Sequence, residues 1–523
     1  MNRFSYREVY IWQWLGLLSV ILLFRLGATP IYILDEAKNA ECAREMLEHN
    51  DWITPVFNGI LRTDKPPLHY FFMMTAYKMF GYNAFAARFF SAVMGILTVV
   101  VTYLYTKKLL NAFAAFCSTL VLVCSSHFLF EFRLAVPDPY LIFFITLGLF
   151  SGFVWLQQNN FKQLIIAAVA LAFATLAKGP VAIVLPGLSL LIWVIVKKKW
   201  QTFFTWKLIP AFLVYLLIAA PWYYAVYKAT NGEWIKSFFL DHNLNRFADP
   251  QEGHGGLFII TLLFVLLGLL PFMSFLGELI KKRAYVFSNE VAQFCAIVAL
   301  AFVVFFSVAS TKLPNYPMPC YPFAAVILGT FIASLLNGEV TSKKYPFYIV
   351  FAVTLILPLV GYFVIGQEVE AKNMSWIALL LLITPAMFIG YMIITRQGSW
   401  AKHIGFIAFA YSTFNLIGLH YVYPALYNKN PVSKTIDKVK QYPNIYGYKI
   451  FNPAYRFYLD KNIPVTDDIQ ELSHWLDSTP NALIITRTEY MESFKQTHLQ
   501  EIARHHDIFE LPVTIILEHH ARP

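Results

Sequence analysis

The chain has 523 residues, of which 58% are hydrophobic, 17% aromatic and only 14% charged. A soluble domain carries about a quarter charged residues, so this composition excludes an ordinary soluble enzyme and marks an integral membrane protein. The net charge of +10 does not point to nucleic acid, because the basic residues form short clusters between apolar runs, the pattern of cytoplasmic loop anchors.

Apolar runs of spanning length, roughly 20 residues, fall in chain order at 9–28, 84–106, 111–128, 139–156, 163–178, 180–196, 208–227, 257–280, 291–309, 319–336, 346–366, 375–395 and 403–421. This predicts thirteen transmembrane helices. The pair at 163–196 is the weakest, with a short first member and "LAKGP" between the two. Alternate loops carry Arg3/Arg7, Lys107/Lys108, Lys162, Lys197/Lys198/Lys199, Lys281/Lys282/Arg283, Lys343/Lys344 and Arg396/Lys402. All fall on one side, which the positive-inside rule makes the cytoplasm. The N-terminus is then cytoplasmic and everything after residue 422 lies outside. The first run lacks a small-residue cleavage site and contains Arg25, so it reads as a retained helix and not a signal peptide.

The outer face receives two long loops, 29–83 and 228–256, and a C-terminal domain. The predicted fold class is an all-α polytopic membrane domain over 1–421 with a small extracytoplasmic α/β domain over 422–523. In that domain "NALIITR" and "PVTIILEH" read as strands, and 431–441 and 488–504 as helices with polar faces. There is no glycine-rich phosphate loop and no solenoid repeat. The five cysteines contain no CxxC pair, so no disulfide framework is expected.

Polar residues without an anchoring role collect on the outer face. Asp35, Glu36 and Lys38 open the first outer loop, and Asp64 and Lys65 stand near its end in "RTDKPPLHYF". Asp138 lies in "RLAVPDPYL", Lys178 in "AKGP", Asp241, His242 and Arg246 in "FFLDHNLNRF", and Lys312 and Tyr316 in "STKLPNYPMP". Each has a plain structural reading. Asp35 and Asp138 fit helix N-caps; Asp64 and Lys65 fit a surface pair of little energetic weight; His242 and Arg246 fit one solvated helix face; Lys178 and Lys312 fit snorkelling anchors. As a set they say more. Carboxylates suit general-base work or metal binding, and lysine and arginine suit a phosphate. Five segments bringing both to one membrane boundary point to an enzyme acting on a lipid phosphate at the outer face.

The stretch "DEAKNAECAREMLEHNDWITPVFNGILRTDKPPLHYFFMMTAYKMFG" resembles the first outer loop of the bacterial aminoarabinose transferase and protein mannosyltransferase-like GT-C superfamily. "RLAVPDP", "LAKGP", "FFLDHNLNRF" and "KLPNYPMP" resemble later landmarks of that family. The likeness covers most of 1–421 and is weak in the C-terminal domain. It implies inverting transfer of a sugar from polyprenyl phosphate, undecaprenyl phosphate in bacteria, to an acceptor oxygen. Lipid A-type glycolipid is the expected acceptor, with a Ser/Thr hydroxyl of a protein as the alternative. It implies Asp35 as the catalytic aspartate and Asp138 as a second acid of the same site. Lys65 and Arg246 match phosphate-binding cations, Tyr316 a phosphate-contacting tyrosine, and Lys38 stands where relatives often carry arginine. Lys178 joins this substrate-binding set. Asp64 with His242 resembles a metal pair, so a divalent metal is an optional cofactor and none is required. The expected setting is the bacterial inner membrane with a periplasmic C-terminal domain, a monomer and no nucleic-acid partner. Two non-enzymatic readings compete: a transporter of lipid-linked sugar, and a scaffold whose outer domain binds a partner.

Overall fold

The computed structural model describes residue 16 and residues 18–245, 256–395, 398–495 and 499–519, with only the backbone of 242–244. Arg3, Arg7, Arg246 and the side chain of His242 lie outside the described residues.

Among the described residues, eight helices are long and apolar enough to cross a bilayer, or nine if one bent pair counts as a single span. Asparagines start several helices. Asn83, Asn111 and Asn160 each sit just before a helix and accept from a backbone N–H three residues on, which satisfies one of the free amides of the first turn. The first of the thirteen runs, 9–28, begins outside the described residues, and other runs are shortened for local reasons. The run at 111–128 is a helix only over Ala112–Cys124; Ser125 then caps a separate short helix, Ser126–Glu131. The run at 180–196 is the 17-residue helix Val181–Lys197 with Pro186 inside it. The run at 257–280 is not straight: Ile259–Gly268 and Phe272–Lys281 meet at 111°, with Pro271 at the break, where its ring and missing N–H stop a helix.

The first outer loop folds as helix Leu34–Glu48, a small hairpin pairing Val56–Phe57 with Ile60–Leu61, and helix Leu68–Phe80. The hairpin turns on Asn58 and Gly59, at φ 55° and 76°, the left-handed pair that an Asn-Gly turn adopts readily. In the second outer loop, helix Glu233–Phe239 packs back on the first: the Trp234 indole N–H donates to the Arg62 carbonyl at 2.9 Å, and Thr63 and Ser237 share a 2.9 Å hydroxyl hydrogen bond.

The C-terminal region builds a five-stranded sheet in the order Val465–Thr466, Asn444–Tyr448, Ala482–Arg487, Val513–His519, Leu499–His506. The first three strands are parallel and the last two antiparallel. The strands expected in "NALIITR" and "PVTIILEH" and the helix near 431–441 are present. The helix expected over 488–504 is not. A short 3-10 helix covers Thr488–Phe494, and Leu499–His506 is an edge strand against Val513–His519. Strand pairing overrides the weak local helix preference there.

One apolar core fills the membrane part. A second is shared between the first outer loop and the C-terminal region: Ala37, Ala40, Met46 and Tyr70 pack with Val432, Tyr455, Ile463 and Ile516.

Candidate active site

Glu36 organises the first half of the site. Both its oxygens accept from Arg88, at 2.7 Å each, and Oε1 also takes the Ala135 N–H at 2.9 Å. The Asn39 amide donates to the Ala135 carbonyl at 3.3 Å. These contacts pin helix Leu34–Glu48, which carries Asp35, to the segment that runs into Asp138, although about a hundred residues separate the two in the chain. All three charged anchors are buried, with Arg88, Glu36 and Asp138 no more than 3% exposed. Charges so deep are paired and hydrogen-bonded because the alternative costs too much.

Neither aspartate is a helix cap. The helix holding Asp35 begins at Leu34 with Ile33 before it, and that holding Asp138 follows Pro137; neither cap position has a side-chain bond. Asp35 is exposed in the first turn, where a carboxylate also gains from the helix dipole. Lys38, on the next turn of the same helix, is half-buried.

Lys178 ends helix Phe161–Lys178, and Gly179 stops it with φ 76°. Its ammonium meets Asp138 Oδ1 at 2.5 Å and lies 4.8 Å from the centre of the Tyr316 ring. Lys178 is therefore an ion-pair and cation–π partner and not a snorkelling anchor. Lys65 is 9% exposed, in a stretch stiffened by Pro66 and Pro67. Asp64 pairs with Arg62 at 3.3 Å. Lys312 donates to the Ala309 carbonyl at 2.8 Å.

Asp64, Lys65, Lys178 and Tyr316 are among the residues that line a cavity of about 330 Å³. Its other walls are apolar: Val181 and Val184 from one helix, Phe302, Phe305 and Phe306 from another. Phe305 also opens a second groove, where Leu188 and Ile192 face Ile297, Ala301 and Val304. Positions 181, 184, 188 and 192 follow one helix face, so one side of helix Val181–Lys197 lines both.

Arg62, His69 and Glu131 were not singled out from sequence. Arg62 and His69 are buried beside Lys65 and share the electrostatic field of Asp35; burial first, then Arg62 and Lys65, hold the His69 imidazole well below its ordinary value. Glu131 is 3% exposed and faces the Asp138–Lys178 pair. A carboxylate at the edge of an apolar run was the signal that could have found it. Among the described residues no three His, Cys, Asp or Glu side chains gather as a metal site; the pairing of Asp64 with His242 lies outside what is described.

Residues 12–235 match the family model of dolichyl-phosphate-mannose-protein mannosyltransferase. An uncharacterized protein of Aquifex aeolicus (strain VF5) is 28% identical over 392 residues, 74% of this chain and 76% of its own length. The undecaprenyl phosphate-alpha-4-amino-4-deoxy-L-arabinose arabinosyl transferase of Edwardsiella ictaluri (strain 93-146) is 27% identical over 338 residues, 62% of this chain. That alignment spans 60% of the transferase's length. The crystal structure of ArnT from Cupriavidus metallidurans bound to undecaprenyl phosphate superposes with a TM-score of 0.84 at 19% identity, over 99% of both chains. The chain therefore shares the fold of that membrane transferase and, over residues 12–235, the sequence pattern of the mannosyltransferase family. Its sequence is also similar to the aminoarabinose transferases, of whose length it covers about 60%.

Proposed function

We propose that the chain transfers a sugar from undecaprenyl phosphate to a lipid A-type glycolipid at the outer face of the bacterial inner membrane, inverting the anomeric carbon. The observation that carries this reading is one cavity lined both by Lys65, Lys178 and Tyr316 and by apolar side chains of two helices, with an apolar groove beside it that shares Phe305. A phosphate with a long isoprenoid tail needs both linings. The phosphate sits among the ammonium groups and the Tyr316 hydroxyl, where charge-assisted contacts are strongest. The tail lies along Val184, Leu188 and Ile192.

In the reaction, the bond from the acceptor oxygen to the anomeric carbon forms as the bond to the phosphate oxygen breaks. The phosphate leaves with an additional negative charge, which Lys65 and Lys178 stabilise. Arg246 joins them in this reading. Asp35 orients the acceptor and takes its proton where the acceptor is a hydroxyl; Asp138 holds Lys178 in place. The basic loops support a cytoplasmic N-terminus and a periplasmic C-terminal region, and the protein works as a monomer. The match over residues 12–235 favours a second reading, with a protein Ser/Thr hydroxyl as the acceptor.

The test is to reconstitute the protein in liposomes with undecaprenyl-phosphate aminoarabinose and to offer lipid A or a Ser/Thr-rich peptide. Mass spectrometry should find an aminoarabinose increment on lipid A. An increment on the peptide alone selects the second reading. Donor crossing the bilayer with no transfer to either acceptor would replace both with a transporter.

A further inference from the structure

We propose that Arg456 of the C-terminal domain is a positioning residue for sugar transfer, holding helix Leu34–Glu48, and with it Asp35, in one register. This rests on the function proposed above. Arg456 projects from the short helix Ala454–Leu459 and is 4% exposed. Its Nη1 lies 2.9 Å from Glu41 Oε1 and its Nη2 3.4 Å from Glu45 Oε1. Its Nε donates to Asn462 at 3.1 Å, which fixes the plane of the fork.

Glu41 is shared. Arg44 of the same helix donates to both its oxygens, at 2.9 and 2.6 Å, and also pairs with Asp460 of the C-terminal domain. One buried carboxylate thus joins a cation of the catalytic helix to a cation of the domain. Glu45 extends the link, accepting from the Asn58 and Gly59 N–H groups at 2.6 and 3.0 Å. Asn58 in turn exchanges two hydrogen bonds with Ile463, at 2.7 and 2.8 Å. The hairpin held in this way leads directly to Asp64 and Lys65. At the other end of the helix, the Ile31 N–H donates to the Tyr458 hydroxyl at 2.8 Å.

Apolar packing alone allows a helix to slide or rotate on a surface, since it is non-directional. A buried guanidinium held by Asn462 and placed between two carboxylates of the helix restricts that freedom, because its charge attraction acts at two fixed points. Glu41 is six residues from Asp35, about 9 Å along the helix axis, so a shift at Glu41 is passed directly to Asp35. A displacement of about 1 Å at a reacting group can cost on the order of 100-fold in rate. The donor cavity is lined by Lys178 and Tyr316 as well as Lys65, and these do not hang from this link.

The experiment compares Arg456→Met and Arg456→Lys with the unaltered protein in liposomes. It reads kcat and KM for transfer, and undecaprenyl phosphate binding by thermal shift. Arg456→Met should lower kcat about 10- to 100-fold with donor-phosphate affinity within about threefold, and Arg456→Lys should recover part of the loss. Glu45→Gln is the second variant: it removes the charge facing Arg456 and keeps one of the two acceptors used by the Asn58 and Gly59 N–H groups; it should lose at least about fivefold in kcat. If Arg456→Met does not fold, Glu45→Gln decides. Turnover within twofold of the unaltered protein in the deciding variant overturns the inference. No transfer by the unaltered protein itself would instead overturn the function on which it rests.

Discussion

Lys178 and Asp138, forty residues apart, meet at 2.5 Å under the ring of Tyr316. Both are largely buried, at 16% and 5% side-chain exposure. Removing one partner of such a pair costs about 3–5 kcal/mol because the other charge is left uncompensated. Lys178→Met and Asp138→Asn should each lower stability and turnover strongly. The double substitution should lose less than the two added together, with a coupling of about 0.5–3 kcal/mol. Denaturant midpoints and transfer rates of the four proteins check this; additive losses would mean that the two residues work apart.

Asp35 is exposed in the first turn of its helix, where Ile33 and not Asp35 holds the cap position. Asp35→Asn should therefore cost little stability, about 0.3–1 kcal/mol from the lost dipole interaction. Turnover on a hydroxyl acceptor should fall about 100-fold or more, the scale of a lost general base. A phosphate acceptor, already ionised, should show a smaller loss. Rates on the two acceptor types, beside a thermal melt of the variant, separate these effects.

His69 is fully buried, and burial with the nearby Arg62 and Lys65 holds its imidazole well below the ordinary 6.5. The unfolded chain takes up a proton as pH falls through 6.5, while the folded protein does not. The His69 contribution to stability is thus present above pH 6.5 and declines below it, by about 1.4 kcal/mol per pH unit. Melting temperatures between pH 7.5 and 5.5 should fall less steeply in His69→Gln than in the unaltered protein. Identical slopes would show that His69 is protonated in the folded state.

Ala301 lies in the apolar groove opposite Leu188 and Ile192. A tryptophan there fills the path assigned to the isoprenoid tail. Ala301→Trp should raise KM about 10-fold or more for a long-chain donor, equivalent to about 1.4 kcal/mol, and leave a short-chain donor nearly unchanged. Equal effects on both donors would place the tail elsewhere.

Much of this arrangement was legible in the sequence, and the parts that were not share a cause. Apolar runs and basic clusters mark helices and loops because the bilayer imposes length and hydropathy on local sequence. The outer segments carrying Asp35, Lys65, Asp138, Lys178 and Tyr316 stood out because charge there had no anchoring role. Residues whose roles depend on distant partners did not stand out. Arg88 looks like one more charge at a helix start until Glu36 is placed against it, and Arg456 looks like a surface arginine until Glu41 is. The edge strand Leu499–His506 was hidden for the same reason, since its pairing partner supplies what its own residues do not specify.

Arg133 bears on how the chain is assembled. Its guanidinium donates to the carbonyls of Ile21, Leu22, Phe24 and Arg25, at 2.8–3.2 Å. Those carbonyls end the first apolar helix, and a helix end at the membrane boundary needs partners for them. The partner is made more than a hundred residues later in synthesis. Until Arg133 has been synthesised, those four carbonyls lack the partner that the folded protein gives them. That same segment carries Ala135, whose N–H Glu36 accepts, and Asp138, so what completes the first helix also fixes the segment leading to Asp138.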